Sequence, residues 1–269
     1  MNPTAKLVIR ADDLGSFLGA NRAIDPLLRS GLCRNAGIMV PAAYFTEGAE
    51  LARNHTDSCI GLHATLNSEW ANVRWRPVLP ASRVPCLVEP DGSLKRSPHA
   101  LHEAGADFDQ MLAEIEAQLA KARAAGLNIE YLDQHMCFGW VHEPGHPEHR
   151  FEAVLCDFAK QKGLRYFATL PTDQGQITAI NGQPLRPFHP AQGGDVTIPL
   201  SDAAAKGGAW LWVAHPAESE AELEATHLAG QAPGVVAKER DREWRILSDP
   251  QLASAVKRLG IQSIAVTDL

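Results

Sequence analysis

The chain has 269 residues, with 25 Lys+Arg against 32 Asp+Glu, and so a formal net charge of −7. With 45% apolar and 21% charged residues and no Lys/Arg block, it reads as an ordinary soluble globular protein. That balance argues against a nucleic-acid groove or an anionic membrane surface as its main partner. A chain this long buries roughly three quarters of its unfolded surface, so its core needs neither disulfide nor structural metal.

The run from Met1 to Arg10 is too short for a signal-peptide apolar region or a membrane span, which makes the cytoplasm the expected compartment. Cys33, Cys59, Cys86, Cys137 and Cys156 are odd in number, widely spaced and free of any C-x-x-C pair. They read as reduced thiols, not as a disulfide framework or a cysteine zinc site.

Along the chain, short apolar runs alternate with helical patterns. Lys6 to Arg10 reads as a buried strand and Asn21 to Ser30 as a helix closed by Gly31. Strands follow at Ala36 to Val40 and Cys59 to Thr65, with a helix near Glu47 to Arg53 between them. Asp107 to Ala125 is the clearest helix, because Phe108, Met111, Leu112, Ile115 and Leu119 recur at helical spacing before Gly126. Next come a strand at Ile129 to Asp133, a helix over about Glu148 to Lys162, and strands at Tyr166 to Thr169, Ala209 to Ala214 and Ser263 to Val266. Pro250 to Leu259 is helical before the last of these, and Asp195 to Ile198 is a candidate eighth strand.

This alternation predicts an α/β fold with a mostly parallel sheet, and seven or eight strands favour a closed or nearly closed barrel. No G-x-G-x-x-G follows the first strand, which removes the best signal for a dinucleotide fold. Two long Pro-containing segments, Asn67 to Ala106 and Leu170 to Ala204, interrupt the rhythm; loops of that length are functional or carry small elements of their own. No composition shift marks a linker, so one domain is expected over residues 1–269.

Barrels draw their reactive groups from the C-terminal ends of strands. Four strands here end in such groups: Asp12-Asp13, Gly61-Leu62-His63, Asp133-Gln134-His135 and His215-Pro216. Adjacent carboxylates repel, so a cation or a raised pKa is expected beside them. Two imidazoles and a carboxylate make a three-ligand set for a catalytic metal. Singly, each piece has a plainer reading. Asp12-Asp13 also suits a helix cap or turn, His63 a hydrogen-bonded core histidine, and Asp133 with His135 a structural pair on one strand face. Four together weigh toward a site.

His142-Glu143-Pro144-Gly145-His146 matches H-E-x-x-H to the letter, but that chemistry requires a helix and Pro144-Gly145 would break one. These histidines, with His149, are expected on a surface loop leading into a helix.

With these residues laid out, the chain resembles the YdjC-like family of carbohydrate deacetylases. The resemblance runs through Leu7-Val8-Ile9-Arg10-Ala11-Asp12-Asp13-Leu14-Gly15, Asn21-Arg22-Ala23-Ile24, Gly61-Leu62-His63-Ala64-Thr65-Leu66, Leu132-Asp133-Gln134-His135 and Ala214-His215-Pro216. It ends in Arg240-Asp241-Arg242-Glu243-Trp244 and Leu247-Ser248-Asp249-Pro250, similar to an Arg-x-x-Glu segment before a last helix. It implies a distorted (β/α) TIM-like barrel and metal-assisted hydrolysis of an N-acetyl group on an amino sugar or short oligosaccharide. Carried over by position, it implies Asp13, His63 and His135 as metal ligands, Asp12 as general base and His215 as general acid. Asp133 would orient a histidine. The implied cofactor is one divalent ion, zinc or magnesium foremost, with manganese, nickel or cobalt also suited to the mixed oxygen and nitrogen donors. A homodimer is a frequent form in the family. Cys137, after Met136, stands where many relatives carry another histidine, which affects the pocket lining. Hydrolysis of another amide, an ester or a lactone, and a sugar-binding barrel without catalysis, remain alternatives. Trp70, Trp75, Phe138 and Trp140 either stack on sugar or pack loops onto the barrel, packing being expected for most.

Overall fold

The structure is a computed structural model that describes residues 4–172 and 175–269. Met1 to Pro3 of the N-terminal lead, and two residues of the segment expected as a long loop, lie outside the described residues. The elements in chain order are β1 (Ala5–Leu14), α1 (Leu18–Ser30), β2 (Asn35–Ile38), α2 (Phe45–Ala52), β3 (Cys59–Ala64), α3 (Pro98–Glu103), α4 (Phe108–Ala124) and β4 (Ile129–Gln134). Then come β5 (His142–Glu143), β6 (His146–Arg150), α5 (Phe151–Lys162), β7 (Arg165–Thr172), β8 (Gly175–Ile180), β9 (Gln183–Pro187), α6 (Thr197–Lys206) and β10 (Gly208–Ala214). The last are α7 (Ala221–Ala225), α8 (Val235–Ser248), α9 (Pro250–Arg258) and β11 (Gln262–Ser263).

Eight strands close into a barrel in the order β1-β2-β3-β4-β7-β8-β9-β10, with β10 pairing back onto β1. All neighbours are parallel except β7–β8 and β8–β9, so β8 alone runs against the others. This is the expected distorted (β/α) barrel. Two of its strands, β8 and β9, lie inside the segment read from sequence as a loop. The candidate strand at Asp195 to Ile198 is instead a turn entering α6. There the Asp195 carboxylate accepts the Thr197 N–H at 2.8 Å, and Pro199 falls in the first helical turn, where no donor is needed. The strand expected at Ser263 to Val266 shrinks to β11, which pairs only with Lys6 and Leu7.

Strand periodicity sorts the side chains. In β1, Leu7, Ile9 and Ala11 face outward into the layer between barrel and helices, while Val8 faces the barrel interior. In β10, Trp210 and Trp212 lie in the outer layer, and Leu211 and Val213 face in. The interior floor is made of Val8, Cys59, Tyr131, Phe167, Leu185 and Leu211, and Ile264 to Val266 pack against it. Gly61 is required here: a Cβ at that position would stand 2.0 Å from the Tyr131 ring. Above this floor the barrel interior is lined by polar side chains. All five cysteines are free, as expected. No helix among the described residues is long and apolar enough to cross a membrane.

Candidate active site

Asp12 and Asp13 are neighbours, and strict alternation would send only one of them inward. A bulge resolves this. Ala11 pairs with Ala36 and Leu14 with Ile38, so β1 spends three steps where β2 spends two. Asp13 takes φ +67°, a left-handed conformation that costs a non-glycine residue roughly 1–2 kcal/mol. In return, both carboxylates enter the barrel and both are buried. Such strain persists where surrounding structure fixes it, and it clusters at functional sites.

His63 faces inward from β3, and Asp133 from β4, with His135 just past the end of β4. Asp13 Oδ1 lies 3.4 Å from His63 Nε2 and 3.4 Å from His135 Nδ1. The other nitrogen of each ring meets a carboxylate. His63 Nδ1 is 3.0 Å from Asp133 Oδ2, and His135 Nε2 is 2.9 Å from Glu69 Oε2. Gly37 on β2 makes room for this layer, since a Cβ there would lie 3.2 Å from both Asp12 Oδ1 and His63 Cβ.

Arg10 is the buried counter-ion. Its Nε and Nη2 donate to the two Asp12 oxygens at 2.7 Å each, Nη2 lies 3.0 Å from Asp133 Oδ2, and the guanidinium sits over the Phe167 ring. Burial works against its charge, but Asp12 and Asp133 outweigh it and raise the pKa. Asp13 Oδ2 meets Arg240 Nη2 at 2.7 Å. Burial alone would raise the Asp13 carboxyl; Arg240, then His135 and His63, hold it well below the usual carboxylate range. Burial likewise disfavours the imidazolium of His63, yet Asp133 and Asp12 push its pKa well above the ordinary value. For His135, burial is overcome by Glu69 and Asp13, and the pKa rises to about 9.

These groups floor a cavity of about 460 Å³, whose wall includes Trp70, Met136, Cys137, Val213, Gln231 and Glu239. His215 stands on the same cavity past the end of β10, its side chain 41% exposed. Its backbone N–H donates to Glu243 Oε2 at 2.5 Å, and its Nδ1 is 3.9 Å from the same oxygen. Four separate strands therefore supply the five residues singled out from sequence, and all five line one cavity.

Does the donor set suit an ion? Asp13 Oδ1 is buried and accepts no hydrogen bond. An ion about 2.1 Å from tetrahedrally placed donors sets them roughly 3.4 Å apart, the separation found from Asp13 to each histidine. The three donor atoms all lie within 4.8 Å of one another. The residues fit a divalent cation, and the identity of the cation is left open by a mixed oxygen and nitrogen set.

Residues 6–258 match the family model for YdjC-like protein. The chain belongs to the YdjC-like family. Among relatives, a carbohydrate deacetylase from Brevibacillus brevis is 27% identical over 98% of this chain and 99% of its own length. One from Geobacillus stearothermophilus is 26% identical over 96% and 95%. One from Thermoanaerobacter pseudethanolicus is 32% identical, over 48% of this chain and 49% of its own. The crystal structure of an Enterococcus faecalis protein, described as a candidate cellobiose-phosphate cleavage protein, superposes with a TM-score of 0.76 and 19% identity, covering 98% of both chains. That likeness establishes the shared fold of this YdjC-like chain.

Sequence reasoning did not single out Arg10, Glu69, Arg240 or Glu243 as site residues. Arg240 and Glu243 were visible only as a family-like Arg-x-x-Glu run, and no spacing marks Arg10 or Glu69. His142, His146 and His149 lie apart from the cavity lining, on the β5–β6 hairpin that leads into α5 where a surface loop leading into a helix was expected, so the H-E-x-x-H letters form no helical face. Trp75 and Phe138 are buried, Trp140 packs on His99 and His102, and Trp70 alone of the four faces the cavity.

Proposed function

We propose that this chain is a metal-dependent hydrolase that removes the N-acetyl group from an amino sugar or short oligosaccharide. The observation that carries the reading is Asp13 Oδ1: buried, without a hydrogen-bond partner, and 3.4 Å from one nitrogen of each of two histidines at the foot of an open cavity. Full-length relatives named carbohydrate deacetylase support the substrate class.

Asp13, His63 and His135 would hold the ion. Zinc, manganese, nickel and cobalt suit these donors, and magnesium suits them with more water. When bound, the ion polarises the acyl carbonyl and lowers the pKa of water. The chain's own residues supply the rest. Asp12 takes the proton of the attacking water. Arg10 occupies one lone pair on each Asp12 oxygen and leaves others free to accept, while fixing the carboxylate in place. As the C–N bond breaks, His215, entering as imidazolium, gives its proton to the sugar nitrogen, and the products are acetate and the free amine. Its position on the cavity wall, with Glu243 at its backbone, leaves the ring facing the space where a sugar would sit. Arg240 fixes Asp13 by its second oxygen and lies against Trp70, the aromatic wall of the same cavity.

The test is acetate release from N-acetylated mono- and oligosaccharides, using protein stripped of metal and reloaded with each of the five ions. Metal-dependent release that His215→Ala abolishes, with ion content unchanged, is the expected result. An ion bound at Asp13, His63 and His135 with no acetate from any sugar would move the reading to another carbonyl substrate.

A further inference from the structure

Residues 65–97, between β3 and α3, contain little regular structure, yet the segment is fastened along its length. Three residues at i, i+4 and i+8 on α4 do this, one above another on a single helix face. Gln110 accepts the Cys86 N–H at 3.1 Å. Glu114, wholly buried, accepts the N–H groups of Val78 and Leu79 at 2.8 and 2.9 Å. Gln118 accepts the Thr65 N–H at 3.1 Å and donates to its carbonyl at 2.7 Å. Within the segment, Arg74 Nη2 donates to Ser93 Oγ and to the Leu94 carbonyl. What this fastening delivers is Glu69, whose buried carboxylate lies 2.9 Å from His135 Nε2, with the Trp75 ring edge-on to the same imidazole.

We propose that Glu69 is a positioning residue of the metal centre. It keeps the His135 ring proton on Nε2 and so presents the Nδ1 lone pair to the point that Asp13 Oδ1 and His63 Nε2 also face. The inference rests on the metal-centre reading above. A neutral imidazole carries one N–H and one lone pair, and the acceptor at one nitrogen decides which is which. The two histidines are thereby held in complementary ways: His63 turns Nδ1 to Asp133 and frees Nε2, while His135 turns Nε2 to Glu69 and frees Nδ1. Glu69 meets the ring at the nitrogen remote from Asp13, so it acts through His135 instead of joining the donor set. Retention of the ion then depends on residues 65–97 staying docked on α4.

The experiment is zinc affinity by competition with a chromophoric chelator, on metal-stripped wild type, His63→Ala, Glu69→Ala and Glu69→Gln. It is paired with proton NMR of the zinc-loaded ring N–H signals. Glutamine still accepts a hydrogen bond, so its affinity is expected within about tenfold of wild type, whereas Glu69→Ala is expected to bind roughly 10–100-fold more weakly. A slowly exchanging downfield N–H signal should persist in Glu69→Gln and vanish in Glu69→Ala. Wild-type affinity in Glu69→Ala, or equal loss in both Glu69 variants, would overturn the proposal while leaving the metal reading standing if His63→Ala has lost zinc. Failure of the wild type to bind zinc, manganese, nickel, cobalt or magnesium would overturn both.

Discussion

Replacing Gly61 with alanine places a methyl carbon 2.0 to 2.3 Å from three atoms of the Tyr131 ring, where carbon atoms prefer about 3.5–4.0 Å. The ring has to move by more than 1 Å, roughly, and it has nowhere free to go. Tyr131 is wholly buried, its edge against Phe167 at a centroid distance of 5.3 Å. Phe167 in turn lies under the Arg10 guanidinium at 4.6 Å, and Arg10 holds Asp12 and Asp133. Overpacking of a tight core costs typically 1–3 kcal/mol, and this contact belongs at the upper end, about 3 kcal/mol. For a chain of this size that lowers Tm by roughly 6–12 °C. Turnover should fall further than the folded fraction accounts for, because the displaced ring bears on the carboxylates through Arg10. Thermal melts and acetate release on Gly61→Ala, Tyr131→Leu and the double variant check this. The double variant should recover part of the stability that the separate changes lose in sum. A Gly61→Ala protein with wild-type Tm, or a double variant whose losses simply add, would refute the reasoning.

Further predictions concern the ion-free centre and the segment that braces it. His63 and His135 have raised pKa values in the folded state, so their stabilising contribution is full below the unfolded value near 6.5 and falls as pH rises, that of His135 being lost through about 9. Asp13 and Asp133 have lowered values, so theirs is full above about 3.9 and is lost as pH falls. Ion-free protein should therefore melt highest between about pH 4 and 6.5 and lose stability toward pH 9, and saturating zinc should remove that alkaline loss. An ion-free Tm that climbs between those alkaline limits would contradict it. Glu114→Ala leaves the Val78 and Leu79 N–H groups without their acceptor, at a cost of about 2 kcal/mol or more. It should lower Tm and open residues 65–97 to limited proteolysis, and unchanged digestion would count against the bracing role of α4.

Much of the barrel was legible because its outer face obeys simple periodicity. The helix at Asp107 to Ala125 is observed as Phe108–Ala124, and the seven strands expected from Lys6, Ala36, Cys59, Ile129, Tyr166, Ala209 and Ser263 each begin within one residue of an observed strand. The strands that escaped notice did so for physical reasons. β9 is Gln183–Pro187, a short run with two prolines, and no apolar stretch announces it. A usable signal was nonetheless present: Asn181-Gly182, with φ +47° and +82°, forms the tight hairpin between β8 and β9, and Asn-Gly is the strongest short-range hairpin mark. Asp12, Asp13, His63, His135 and His215 were readable because strand ends concentrate reactive groups. Glu69 was not, since its meeting with His135 depends on how a long irregular segment docks onto α4. Arg10 was hidden differently: it closes the strand expected at Lys6 to Arg10, and nothing in the spacing ties it to Asp12 and Asp133, the two carboxylates it meets inside the barrel.

Asp12 is proposed as the base beside a metal held by Asp13, His63 and His135. The most direct measurement is acetate release by zinc-loaded wild type and Asp12→Asn, with bound zinc counted on the same samples. Asparagine keeps the shape of Asp12 and cannot take the proton, so turnover should fall by about 10²–10⁴-fold while zinc content stays at the wild-type level. An Asp12→Asn protein that carries its zinc and still releases acetate at the wild-type rate would contradict the account.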